Sequence, residues 1–240
     1  MFNFLLNKFY GTSVLPELPL HKGNATPDIY NGDFTYFMYT AQNFNKTVLL
    51  FPGNKFSCYT NDRLLRELAK SLNAKLYCLE YRTSNNSEPS IEEVIDYCRR
   101  FTKSVLETVN QINRFYAIGH SLGCSLLLHV SETIRLENAV LLCPFINAPS
   151  FCCSYMCDPQ PCIFTCSQPS LLNNYMLAAN SNITNVYVIV ADEDRVVDRF
   201  QSIQLLPRFY NSKNIQYLRT LIYTHDNILN VLQILSFLIN

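Results

Sequence analysis

Short, almost continuous runs of apolar residues alternate along this chain with longer stretches whose apolar residues recur at helical spacing. A continuous apolar run is typical of a strand buried on both faces of a parallel sheet, and amphipathic helices would cover those faces. The sequence therefore predicts an α/β fold with an open, mostly parallel sheet and helices on both faces. The predicted strands are Phe34–Tyr39, Thr47–Phe51, Leu76–Tyr81, Phe115–Gly119, Ala139–Cys143, Val186–Ala191 and Ile215–Tyr223.

The predicted helices follow capping residues or turns. Asn61 or Asp62 caps the first helix, and Ser90 opens a second helix with the capping box Ser-Ile-Glu-Glu. The further predicted helices are Leu122–Ile134, Asp198–Tyr210 and the stretch from Asp226 to the C-terminus, and Asp198 is expected to be an N-cap.

Composition excludes several classes of protein. Hydrophobic residues make up 48% of the 240 residues, which favours one packed domain spanning residues 1–240, with residues 1–33 as an N-terminal extension or first strand region. The charges of the 19 basic and 19 acidic residues cancel, so the chain has no surplus positive charge that would favour binding to nucleic acid. The sequence has no uninterrupted membrane-spanning run and no secretory signal, so we expect a cytoplasmic protein.

One connection is much longer than the others. About forty residues, 144–183, separate two predicted strands and contain five of the eleven prolines and five of the ten cysteines. A connection of this length predicts an inserted lid over the site. Its apolar residues, among them Phe151, Tyr155 and Met156, predict substrate binding and suit an acyl chain or a membrane surface. Reduced thiols are the expected state of Cys152–Cys166, with disulfides or zinc as alternatives.

The turn Gly119-His120-Ser121-Leu122-Gly123 follows a predicted strand and precedes a predicted helix. This is the context of the G-x-S-x-G nucleophile elbow, in which glycines permit a turn too tight for neighbouring Cβ atoms. Ser121 is therefore the candidate nucleophile, at a helix N-terminus that favours a developing negative charge. The alternative is an ordinary turn with a solvent-facing serine.

A serine nucleophile requires a base, which in turn requires a carboxylate to orient it. His225 follows the last predicted strand on a loop able to face the elbow, although it could merely cap the terminal helix. Asp192 and Asp194 both follow the strand Val186–Ala191, where catalytic groups gather in α/β sheets. The chain order serine, acid, histidine fits this mechanism with either aspartate.

The oxyanion hole of such a site uses two backbone N–H groups. Leu122 would supply one of them, as the residue after the nucleophile. The turn Phe51-Pro-Gly-Asn-Lys would supply the other, from Asn54 or from Lys55.

These motifs resemble the serine hydrolases of the α/β-hydrolase fold from about Thr47 onward. The resemblance rests on Leu49-Leu-Phe-Pro-Gly-Asn, the elbow, Val190-Ala-Asp-Glu-Asp-Arg-Val-Val and the late His225, and Glu80-Tyr-Arg is similar to lipase, thioesterase and protein-depalmitoylase branches. In the family the acid stands just before an Arg-Val-Val type of run, which favours Asp194 over Asp192.

The resemblance implies hydrolysis of a carboxylic ester or thioester through an acyl-enzyme, with Ser121, Asp194 and His225 as the triad and Asn54 and Leu122 at the oxyanion hole. It implies no cofactor and no metal. The expected partner is a small acyl or lipid ester or an acylated protein, with peripheral membrane contact through the cap. The alternative is a catalytically silent scaffold that binds a ligand or protein through its cap.

Overall fold

The computed structural model describes residues 27–30, 34–53, 56–83, 89–109, 114–147 and 171–234. Within them eight strands form one sheet in the order β1-β2-β4-β3-β5-β6-β7-β8. The strands are β1 (Pro27–Tyr30), β2 (Phe34–Thr40), β3 (Lys46–Phe51), β4 (Ala74–Thr83), β5 (Arg114–His120), β6 (Leu136–Leu142), β7 (Ile183–Ala191) and β8 (Asn214–Thr220).

The sheet is mostly parallel, as the sequence predicts. Strands β3 to β8 pair in parallel, whereas β2 pairs antiparallel with both β1 and β4 at one edge. All seven predicted strands are present, and β1 adds an eighth from the region 1–33, for which the sequence left open an extension or a first strand. The predicted last strand is too long, because β8 ends at Thr220, where it pairs with Ala191 at the end of β7.

Six α-helices and two 3₁₀ helices lie within the described residues. They are α1 (Asp62–Ser71), α2 (Ile91–Thr108), α3 (Leu122–Thr133), α4 (Asn174–Asn180), α5 (Arg199–Leu205) and α6 (Val231–Ile234), with 3₁₀ turns at Leu206–Arg208 and His225–Asn230. The capping box of Ser90 and Glu93 at α2 and the Asp198 cap of α5 are both as predicted. The last predicted helix is 3₁₀ from His225 to Asn230 and α-helical only from Val231 to Ile234.

Helix α4 lies inside the segment that was predicted to be a lid. Its Leu177 and Ala178 are buried in the core, and Asn174 donates to the carbonyl oxygen of Phe145 over 2.8 Å. Residues 174–183 therefore belong to the packed domain, and only residues 148–170 of the predicted lid lie outside the described residues.

Apolar side chains cover both faces of the sheet. One face packs against α2, α3, α4 and α5, and contributors include Phe101, Leu127 and Leu205. The other face packs against α1 and the C-terminal helices, through residues such as Leu68 and Leu232. None of the helices in the described residues has the length and hydropathy to cross a bilayer.

The turn between β5 and α3 fits closely against the end of β3. A Cβ atom built on Gly123 would lie 1.9 Å from the carbonyl oxygen of Phe51 and 2.6 Å from that of Pro52. Both atoms are backbone and cannot rotate away, so the turn requires glycine at this position. The contact places the N-terminus of α3 beside the loop that follows β3.

We expect Gly123→Ala to destabilise the fold by about 3 kcal/mol, because its methyl group would push β3 and α3 apart. Chemical denaturation would measure the loss against Glu107→Ala on the exposed face of α2 as a control. A Gly123→Ala protein as stable as this control would contradict the described packing of the turn.

Candidate active site

Ser121 occupies a strained turn at the carboxyl edge of the parallel strands. Its backbone lies at φ 52° and ψ −115°, a region that non-glycine residues avoid at a cost of about 1–3 kcal/mol. The turn is held by two main-chain hydrogen bonds, from Ser121 N to Leu142 O at 2.9 Å and from Cys124 N to Ser121 O at 3.0 Å. Helix α3 begins at the next residue, so the serine stands at a helix N-terminus, as predicted.

His225 and Asp194 lie together at the same edge of the sheet. Asp194 follows β7 and His225 follows β8, and the imidazole Nδ1 is 2.8 Å from Asp194 Oδ2. The side chains are 9% and 2% exposed, so the hydrogen bond is shielded from water. A carboxylate can only accept here, which assigns the Nδ1 proton to His225 and leaves its Nε2 free to accept a proton.

Asp194 is kept ionised by the groups around it. The main-chain N–H groups of Val196 and Val197 both donate to its Oδ1 at 2.8 Å. Burial raises the pKa of the carboxyl, but the hydrogen bonds and the charge of His225 outweigh burial and leave the pKa below its ordinary value. An ionised Asp194 accepts the hydrogen bond from Nδ1 of His225.

Asp192, the other candidate acid, makes different contacts. Its carboxylate binds Arg219 in a bidentate pair and Arg199 at 3.3 Å. The hydrogen bond from Arg219 is the main cause of its lowered pKa. The structure brings Asp194, and not Asp192, to His225.

The loop after β3 approaches the nucleophile turn, although Asn54 and Lys55 lie outside the described residues. The buried hydroxyl of Tyr81 donates to the carbonyl oxygen of Pro52 over 3.0 Å. Glu80, also buried, accepts from the Cys58 N–H at 3.2 Å. Two neighbouring side chains of β4 thus anchor both ends of the loop that would carry the second oxyanion donor. Leu122, the other predicted donor, is the first residue of α3.

The predicted substrate-binding residues Phe151, Tyr155 and Met156 lie outside the described residues, as does the cysteine cluster Cys152–Cys166. The five described cysteines are buried and free. They are Cys58, Cys78, Cys98, Cys124 and Cys143.

Two residues beside the site were not predicted from the sequence. Nε2 of His120 lies 3.0 Å from the carbonyl oxygen of His225. Cys143 follows β6 in a strained conformation at φ 50°, and burial raises the pKa of its thiol. In the sequence, the position of Cys143 at the carboxyl end of a central strand is the signal that could have identified it.

Cys143, Asp194 and His225 form a group of metal-ligating type, with one ligand atom from each lying within 4.8 Å of the others. In this group the imidazole Nδ1 already bonds the carboxylate. The arrangement is therefore a hydrogen-bonded carboxylate–imidazole pair with a thiol beside it.

No protein-family model and no curated protein sequence matches the chain. Solved structures are similar to it at low sequence identity. Est1E from Butyrivibrio proteoclasticus superposes with a TM-score of 0.68 at 11% identity, covering 90% of this chain and 98% of that one. A hyperthermophilic esterase from the archaeon Pyrobaculum calidifontis gives 0.65 at 16% identity, covering 98% and 88%.

Carboxyl esterase 2 from the mycorrhizal fungus Tuber melanosporum gives a TM-score of 0.64 at 13% identity, covering 93% of this chain and 88% of that one. These likenesses extend over nearly the whole chain. The chain has the α/β-hydrolase fold.

Proposed function

We propose that this protein hydrolyses carboxylic esters or thioesters through a triad of Ser121, His225 and Asp194. The observation that carries the proposal is the shielded 2.8 Å hydrogen bond between His225 and Asp194, at the sheet edge where Ser121 is held in a strained turn. A hydrogen-bonded acid–base pair has a chemical use when a nucleophile stands beside it. Two of the structural neighbours named above, from Tuber melanosporum and Pyrobaculum calidifontis, are esterases by name, which supports the same class of reaction.

In the proposed mechanism, Nε2 of His225 removes the proton of Ser121 while Oγ attacks the carbonyl carbon of the substrate. The resulting oxyanion binds the N–H groups of Leu122 and Asn54 near the N-terminus of α3. The imidazolium, stabilised by Asp194, then gives its proton to the departing alcohol or thiol and leaves an acyl-enzyme. Water, activated by the same imidazole, releases the acid and restores Ser121.

We further propose that the substrate carries an acyl chain. Leu221 and Ile222 precede His225 on the same loop and are 74% and 78% exposed, an unusual placement for adjacent aliphatic side chains. An acyl chain lying across them would shield both from water. Phe151, Tyr155 and Met156, the residues predicted from the sequence to bind substrate, are apolar as well.

We expect a fluorescent fluorophosphonate to label the wild-type protein and not Ser121→Ala, because the reagent traps only an activated serine. Ser125→Ala is the matched control, since Ser125 is a buried serine one turn later in α3. In-gel fluorescence gives the result. A labelled Ser121→Ala protein, or a folded wild type that stays unlabelled, would contradict the proposed nucleophile.

We expect substitutions of Asp194 and Asp192 to have different effects on kcat. Asp194→Asn should lower kcat on p-nitrophenyl acetate by about 10²- to 10⁴-fold, because the imidazole loses the carboxylate that orients and stabilises it. Asp192→Asn removes only the ion pairs with Arg219 and Arg199 and should change kcat by less than about threefold. The reverse pattern would assign the acid to Asp192.

We expect a preference for longer acyl chains. Each buried methylene contributes about 0.8 kcal/mol, so even partial burial should raise kcat/KM for p-nitrophenyl octanoate by about tenfold over the acetate. Leu221→Ser with Ile222→Ser should reduce this preference, whereas Ile215→Ser, at the opposite end of β8, should not. Equal rates on the two esters would count against an acyl-chain substrate.

A further inference from the structure

His120 joins the strand that carries the nucleophile to the loop that carries the base. It is the last residue of β5, next to Ser121, and its side chain is buried. Nε2 lies 3.0 Å from the main-chain carbonyl oxygen of His225, and the two imidazole rings lie 4.9 Å apart between centroids. The contact links residues 105 positions apart in the chain.

The chemistry of this contact fixes which ring nitrogen of His120 donates. A carbonyl oxygen can only accept, so Nε2 must carry the proton. Burial, with the charge of the neighbouring His225, lowers the pKa of His120 to about 3. The ring is therefore neutral in neutral solution, with its single proton on Nε2 and an unprotonated Nδ1.

The other side of the ring faces the loop after β3. A Cβ atom built on Gly53 would lie 2.7 Å from Nδ1, so the ring fills the space that the glycine leaves open. Nδ1 is buried and has no hydrogen-bond partner among the described residues. The ring is confined between Gly53 and His225, and its one hydrogen bond goes to the backbone of His225.

We propose that His120 is a positioning residue that holds the backbone of His225, so that the imidazole of His225 stays aligned between Asp194 and Ser121. This role rests on the proposed function. Asp194 fixes the ring of His225 through Nδ1, and His120 fixes its main chain through the carbonyl oxygen. Two bonds on different parts of one residue restrict both its position and its rotation.

The test compares three substitutions at residue 120. His120→Gln can place an amide N–H near the Nε2 position, His120→Asn is too short to do so, and His120→Leu has similar bulk without a donor. The measurements are kcat and KM on p-nitrophenyl acetate, together with the rate of fluorophosphonate labelling and Tm. The fluorophosphonate rate reports on the serine independently of acyl-enzyme breakdown.

We expect His120→Leu to lower kcat and the labelling rate by about 100-fold with KM nearly unchanged, since a small displacement of a catalytic group costs this much. His120→Asn should be as slow, and His120→Gln should recover to within about fivefold of the wild type through its regained hydrogen bond. If His120→Leu does not fold, the proposal is tested by comparing His120→Gln with His120→Asn.

A merely structural role predicts a different result. His120→Gln as slow as His120→Asn, or a rise in KM with kcat preserved, would overturn the proposal. So would a folded His120→Leu protein that turns over at the wild-type rate. Failure of the proposed function is distinguishable from these outcomes, because the wild type itself would then remain unlabelled by the fluorophosphonate.

Discussion

The close approach of Gly123 to the carbonyl groups of Phe51 and Pro52 is the constraint on which the site depends. It brings the N-terminus of α3 against the end of β3, so the turn between β5 and α3 packs directly against β3. The hydroxyl of Tyr81 anchors Pro52 from the neighbouring strand β4. The ends of three adjacent strands thereby meet around Ser121, and the strain in its backbone is sustained by contacts that come from outside the turn.

The same edge of the sheet also supplies the hydrogen bonds that stabilise the buried carboxylate of Asp194. A buried carboxylate is unfavourable unless hydrogen bonds replace its lost water, and Asp194 receives two from main-chain N–H groups and one from His225. These donors come from the residues just after β7 and from the loop after β8, and both loops begin at the paired residues Ala191 and Thr220. Sheet register therefore sets the distance between acid and base.

Much of this arrangement follows from local sequence. The apolar runs predict the parallel strands, and the glycines around Ser121 predict the turn, because both depend on periodicity and sterics within a few residues. Asp194 and Asp192 could be ranked only by resemblance, since the contacts that distinguish them come from His225, Arg219 and Arg199, far away in the chain.

The errors in the predicted bounds of β8 and of the lid also arise from contacts that are distant in the chain. Leu221, Ile222 and Tyr223 extend the apolar run of β8 in the sequence, yet β7 has no residue left to pair with them beyond Ala191. Helix α4 has only seven residues, and only one of them is a large apolar residue buried in the core. Its apolar periodicity is therefore too short to be recognised within a long connection. Its burial depends on α3, which sequence periodicity alone does not reveal.

Two imidazoles in contact raise the question of which one takes the proton. His120 is buried, and burial with the charge of His225 lowers its pKa to about 3, so protonation there would cost both hydration and repulsion with His225. His225 has Asp194 beside it to stabilise the positive charge. The pair is therefore asymmetric: the ring of His225 bonds the carboxylate of Asp194, whereas burial keeps the ring of His120 neutral. A neutral neighbour of this kind holds the backbone of His225 without competing for the proton that the proposed reaction moves.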